Sequence, residues 1–171
     1  MLEIILSLIL LLILVLISLE DIKYMVIPQK IITIGVLFGI ISTILKSKIL
    51  SSGQSSSLLI NNLSASILAF LVLLSIKIIS EYLTRRKCLG LGDVKLSALG
   101  GIWLGVKGIF LALTLSFLCA GLFSFYRFSR GSLKNFEAFP FAPFLSAFIF
   151  GVWLLGEEWW IENSMRLLGL K

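Results

Sequence analysis

Histidine is absent from this 171-residue chain, and aspartate occurs only as Asp21 and Asp93. Without histidine there is no Ser-His-Asp triad, no Cys-His pair and no His-ligated zinc. Cys88 and Cys119 are the only cysteines. They are too few for a four-thiolate metal site, and they read as two isolated apolar thiols rather than a disulfide. Charge is also scarce, at 14% of residues. Soluble domains carry about a quarter, so an ordinary soluble domain is excluded. Disorder is excluded too, because it needs low hydrophobicity, whereas this chain is 58% hydrophobic with a mean hydropathy of +1.08. An enzyme of this composition has to work with carboxylates, hydroxyls, lysine or backbone groups, with no metal and no cofactor.

What the chain does have is long apolar runs. A spanning helix needs about 20 such residues. Six segments qualify as membrane helices: 2–19, 28–45, 58–83, 93–104, 109–128 and 143–155. The sequence therefore predicts an all-α, polytopic membrane protein of one membrane-embedded domain over 1–171. Residues 2–19 start with Glu3 and no base, and they exit without a small-x-small site, so they read as a retained helix rather than a cleaved signal. Pro28 suits a helix start. Residues 46–57, with the run Ser-Ser-Gly-Gln-Ser-Ser-Ser, read as a polar loop. Gly105 and Gly108 mark a break. Residues 129–137 form a polar connection. The tail 157–171 is amphipathic, with Trp159 and Trp160 suited to a membrane interface. Gly35/Gly39 and Gly101/Gly105 have the GxxxG spacing that permits close helix contact.

The net charge of +6 belongs to short loops, where lysine and arginine set orientation; it points to lipid and not to nucleic acid. With the N-terminus outside, nine basic residues face inward: Lys23, Lys30, Arg85, Arg86, Lys87, Lys95, Arg127, Arg130 and Lys134. Five face outward: Lys46, Lys48, Lys107, Arg166 and Lys171. This topology puts both Asp21 and Asp93 at cytoplasmic helix ends.

Each aspartate has an ordinary structural reading. Asp21 could be a solvated charge beside Glu20 and Lys23, although a helix C-terminus disfavours an acid. Asp93 could be an N-cap. Their surroundings favour chemistry instead. Gly90 and Gly92 allow unusual backbone conformations and close approach, and an ionisable residue at membrane depth is by default a functional candidate. Two carboxylates held together share a proton near neutral pH. The ionised member can take a proton from water while the protonated one polarises a carbonyl. That is peptide hydrolysis without metal, histidine or covalent intermediate. Lys95 can pair with Asp93 or a substrate carbonyl, or snorkel to lipid phosphate. Tyr24 and Arg127 read as interface residues.

Three segments carry a resemblance. Ser18-Leu19-Glu20-Asp21 followed by Ile27-Pro28, Gly90-Leu91-Gly92-Asp93-Val94-Lys95-Leu96, and Phe139-Pro140-Phe141-Ala142-Pro143-Phe144-Leu145 resemble, in order, motifs of the type IV prepilin peptidases. These are membrane aspartic proteases with a GxGD signature. Ala142 stands where that family usually has glycine, with little harm expected. Gln29 stands where longer members often have a second aspartate, which supports Asp21 as the catalytic residue. The resemblance implies Asp21 and Asp93 as the catalytic dyad, with Gly90, Gly92, Lys95, Pro28, Pro140 and Pro143 shaping the site. It implies cleavage of the basic leader of prepilins or pseudopilins at the cytoplasmic face of a bacterial inner membrane. The paired CxxC segment of the longer, N-methylating members has no counterpart here, so the chain resembles the short peptidase-only forms. From other classes, two readings compete: a small transporter using the two aspartates as a proton or cation relay, which would place them near the midplane, and a non-catalytic scaffold subunit of a secretion machine.

Overall fold

A computed structural model describes residues 2–49, 52–85, 89–130 and 140–167. Arg86, Lys87, Cys88, Lys134, Phe139 and Lys171 lie outside the described residues. The protein is an all-α polytopic membrane protein, with six helices among the described residues: α1 (Leu2–Tyr24), α2 (Gln29–Ile49), α3 (Ser52–Thr84), α4 (Leu91–Ser129), α5 (Ala142–Leu155) and α6 (Glu157–Leu167). Among the described residues, α1 to α4 are long and apolar enough to cross a bilayer, and α5 with α6 makes a fifth candidate if the bent pair counts as one span. In hydrocarbon the backbone has no water to bond, so helices satisfy it internally.

The long α4 covers both the fourth and fifth expected segments, and it is not straight. Gly105 has φ 74° and ψ −178°, a region open essentially to glycine alone. Gly100 and Ile109 would stand about 14 Å apart along a straight helix. Yet a Cβ at Gly100 would meet Ile109 Cδ1 at 2.7 Å. The chain therefore doubles back at Gly105, with a first arm over 91–104 and a return arm over 106–129. The break is at Gly105 alone; Gly108 is helical.

The turn opens carbonyls that a continuous helix would have satisfied, and two neighbours close on one of them. Asn62 Nδ2 donates to Ile102 O at 2.9 Å, and Thr43 Oγ1 donates to the same oxygen at 3.3 Å. Asn62 also donates to Thr43 Oγ1 at 3.1 Å. In this way α2 and α3 hold the hairpin at its tip.

Small residues let the first arm sit close to its neighbours, as expected where lipid supplies no hydrophobic drive between helices. A Cβ at Gly101 would come within 2.6 Å of Ser66 N on α3. One at Gly39 would come within 2.7 Å of Ile102 and Trp103, and Trp103 Nε1 donates to Gly35 O at 3.1 Å. The pair Gly35/Gly39 is thus a real contact face between α2 and α4. Around it lie fully buried Leu10, Leu14, Ile17, Leu73, Leu96, Leu99, Ile109, Leu145 and Ile149. The opposite faces of α1 and α3 expose residues such as Leu8, Leu12, Ile60 and Ile67, as lipid-facing surfaces do.

Several element ends differ from the sequence reading. The expected loop over 46–57 is mostly helical: α2 runs to Ile49 and α3 starts at Ser52. Ser47 Oγ returns its hydrogen bond to Ile44 O at 2.8 Å, so polarity here does not break the helix. Helix α1 continues past Leu19, carrying Asp21 in its last turn, and closes where Met25 N donates to Asp21 O at 2.9 Å with Met25 at φ 51°, a left-handed cap. Pro28 precedes α2 instead of opening it; its carbonyl accepts from Ile31 N at 3.2 Å. Gly156, at φ 81°, turns α6 by 99° from α5, and Trp160 Nε1 bonds back to Gly151 O at 3.2 Å. Helix α6 thus runs nearly at right angles to α5.

Candidate active site

The site is at the end of the bundle where α1 finishes and α4 and α5 begin. Asp21 and Asp93 are each only 7% exposed, and they lie within electrostatic reach of each other. Seventy-two positions of chain separate them; α2 leads away from Asp21 and α3 returns to the level at which α4 begins with Asp93, while the hairpin at Gly105 brings the chain back to the start of α5.

Asp21 occupies the unfavourable end of its own helix, where the dipole repels an acid. The structure resolves that conflict through another helix. Asp21 Oδ2 accepts the backbone N–H of Ala142, the first residue of α5, at 3.1 Å. The free amides of a helix N-terminus favour negative charge. Phe141 is the N-cap residue and Pro143 follows at the second helical position, where a missing N–H costs nothing. Pro140 and Pro143 thus bracket the turn that aims the Ala142 amide at Asp21. Because the contact is a backbone one, alanine serves as well as glycine at position 142. Phe141 is buried and stacks on Phe117 of the return arm at 5.0 Å, which fixes the start of α5 against α4.

Asp93 is not an N-cap. The cap position belongs to Gly90, and Asp93 is the third helical residue, with its Oδ2 accepting Gly90 N at 3.3 Å. This is the acidic half of a capping box. The two carboxylates are therefore held alike: each gives Oδ2 to one backbone amide at the start of a helix. Asp93 Oδ1 is buried and has no hydrogen-bond partner among the described residues. A buried, unsatisfied oxygen is costly, and such a group calls for a functional explanation.

Of the two properties expected of these glycines, close approach is present at Gly92 and an unusual backbone conformation is present at neither. Gly90 has φ −73° and ψ 145°, which any residue adopts, and Gly92 is helical. What Gly92 supplies is proximity: a Cβ there would sit 2.9 Å from Cβ, Cγ1 and Cδ1 of Ile27. The first turn of α4 thus rests directly on the residue before Pro28, and the α1–α2 connection is pressed against the GxGD segment. Lys95 points to neither Asp93 nor a carboxylate partner. Its Nζ donates to Gln29 Oε1, clipping the start of α2 to the start of α4. Ile27, Gln29 and the Ala142 amide are the parts of the site that sequence reasoning did not single out as functional. All three lie in or beside the motif segments, Ile27 and Gln29 flanking Pro28 and Ala142 standing between Pro140 and Pro143.

Of the remaining candidates, Tyr24 is exposed, with Lys23 Nζ 5.1 Å above its ring. Cys119 is half-buried on the return arm as a free thiol. Among the described residues, no three of His, Cys, Asp and Glu come together as a metal-binding group would.

The model of the type IV leader peptidase family matches residues 8–125, a stretch that holds Asp21, Pro28 and Gly90 to Lys95 and stops before Pro140. No curated protein and no solved structure matches the chain. With two thirds of its length matched, including both aspartates and the helices that carry them, the chain belongs to the type IV leader peptidase family.

Proposed function

We propose that this membrane peptidase is an aspartic endopeptidase that removes the basic leader of type IV prepilins or pseudopilins. In this reading Asp21 and Asp93 activate water at the cytoplasmic face of a bacterial inner membrane. The observation that carries the reading is the pair of buried carboxylates from α1 and α4, each anchored through one oxygen by a helix-start amide. Asp21, on the first amide of α5, is suited to be the ionised member and takes a proton from water. Asp93 holds the proton, and its unpartnered Oδ1 presents that proton to the scissile carbonyl. Water adds to the carbonyl carbon, the C–N bond breaks, and the departing amine receives a proton from the dyad. The anchoring amides hold both carboxylates ready before substrate arrives, which is where such catalysis gains most.

The test uses the full chain in vesicles with a synthetic substrate: a basic leader ending in glycine, joined to an apolar helix. Asp21→Asn and Asp93→Asn should each lower cleavage by about 10³-fold or more. The double variant should be no worse than either single, because the two act as a unit. Cleavage retained by either single variant in correctly inserted protein would refute the dyad.

A further inference from the structure

At the end of the bundle opposite the dyad, a groove of about 410 Å³ opens between α1 and α5, beside the end of α2. That volume is in the range of small-molecule sites, roughly 300–1,000 Å³. Its lining is of two kinds. Ile4, Leu8, Leu11 and Leu154 give an apolar wall, while Glu3, Ser7, Lys46 and Trp153 give a polar end.

The polar end is built and not incidental. Lys46 Nζ stands 3.7 Å from the centre of the Trp153 ring, a cation–π contact. Trp153 Nε1 donates to Ser7 Oγ at 2.9 Å, and Ser7 Oγ in turn donates to Glu3 O at 2.8 Å, which fixes the indole beneath the ammonium. Lys46 is half-buried and gives no hydrogen bond or ion pair to any described residue, so its three N–H donors are left for something else. Glu3 is exposed at the mouth, within electrostatic reach of Lys46 but not paired with it.

Depth identifies what that something is. From Glu20 to Glu3 along α1 is ~26 Å, and from Lys30 to Lys46 along α2 is ~24 Å, close to the ~30 Å of a hydrocarbon core. Glu3 and Lys46 therefore lie at headgroup level, at the end of the bundle where α5 finishes. A ligand here meets an ammonium, then a carboxylate, at one end and an apolar wall running into the bilayer at the other.

We propose that this groove holds one phospholipid with a primary-amine headgroup, its phosphate on Lys46, its amine on Glu3 and an acyl chain along Ile4, Leu8 and Leu11. An anionic lipid lacking the amine would meet Glu3 unfavourably. The site is separate from the dyad, and the inference does not rest on the peptidase reading.

Native mass spectrometry of the full chain, titrated with phosphatidylethanolamine or phosphatidylglycerol in detergent, tests it. Wild type should retain one phosphatidylethanolamine. Lys46→Met should weaken that binding about tenfold, the effect of losing a charge-assisted hydrogen bond, while Lys46→Arg keeps it. Glu3→Gln should remove the preference over phosphatidylglycerol. Soluble phosphoethanolamine in excess should not displace the lipid. Retention unchanged in Lys46→Met, no one-to-one lipid in wild type, displacement by soluble phosphoethanolamine, or a second copy of the chain in place of lipid would each overturn the proposal. Thermal unfolding of each variant in the same detergent separates lost binding from lost fold; were Lys46→Met unfolded, the Glu3→Gln preference and the soluble competitor would still decide.

Discussion

Replacing Gly92 by alanine is the sharpest test of how this site is held. The added Cβ would lie 2.9 Å from three carbons of Ile27, whereas unstrained carbons stay at about 3.5–4.0 Å. One of the three is the Ile27 Cβ, which cannot rotate away. The chain must open by roughly 0.6–1 Å between the start of α4 and the α1–α2 connection. Overpacking of this kind costs about 1–3 kcal/mol. The motion also separates the backbones carrying Asp93 and Asp21, and a misplacement near 1 Å can cost about 10²-fold in rate. Gly92→Ala should therefore cut leader cleavage by tens-fold to about 10²-fold while lowering thermal stability modestly. Ile27→Gly in the same chain, which removes all three crowding carbons, should recover part of the rate, with a coupling of about 1–2 kcal/mol in the double-mutant cycle. Gly90→Ala should be milder, because its Cβ meets only the Asp93 carboxylate, at 3.1 Å, and a carboxylate can turn. Full activity in Gly92→Ala, or no recovery with Ile27→Gly, would refute the close-approach account of this glycine.

Three further outcomes follow from the same geometry. Gly105→Ala places a side chain at φ 74° and against Asn61, and should lower stability by about 1–3 kcal/mol, read as an earlier thermal transition in detergent. Asn62→Leu leaves Ile102 O with Thr43 as its partner and should cost about 1–3 kcal/mol, whereas Asn61→Leu should cost less, since Asn61 bonds only its neighbour Asn62 through its side-chain amide. Ala142→Gly should leave cleavage close to wild type, because the N–H that reaches Asp21 is unchanged; a large loss would show that the methyl group, fully buried here, matters more than the amide.

Much of this protein is legible in its sequence, and the limits have physical causes. Apolar runs mark α1, α2 and α3 because lipid demands them. Gly105 was readable as a break because glycine tolerates backbone geometry that others do not. The helical ends over 46–49 and 52–57 were not readable: serine and glycine weaken a helix by only fractions of a kcal/mol to about 1 kcal/mol each, too little to end one that continues into long apolar turns. Asp21 looked misplaced at a helix C-terminus because its compensating amide lies 121 positions away. Close approach was legible at Gly92 but its partner was not, since the constraint comes from Ile27 and not from the glycine's own φ and ψ. Composition and spacing identify which residues are chemically equipped; they do not say which backbone amide or isoleucine stands opposite.

The bond between Asp21 and the Ala142 amide also orders events during synthesis. A ribosome delivers α1 well before α5, so Asp21 is inserted long before its partner exists. Until α5 arrives, the nascent chain holds one carboxylate without its anchoring donor and an α4 hairpin without the helix that packs on its return arm. On the proposed mechanism, cleavage therefore awaits the insertion of α5. Truncated products ending before Pro140 should carry both aspartates and cleave nothing, which spares the cell a partly built protease.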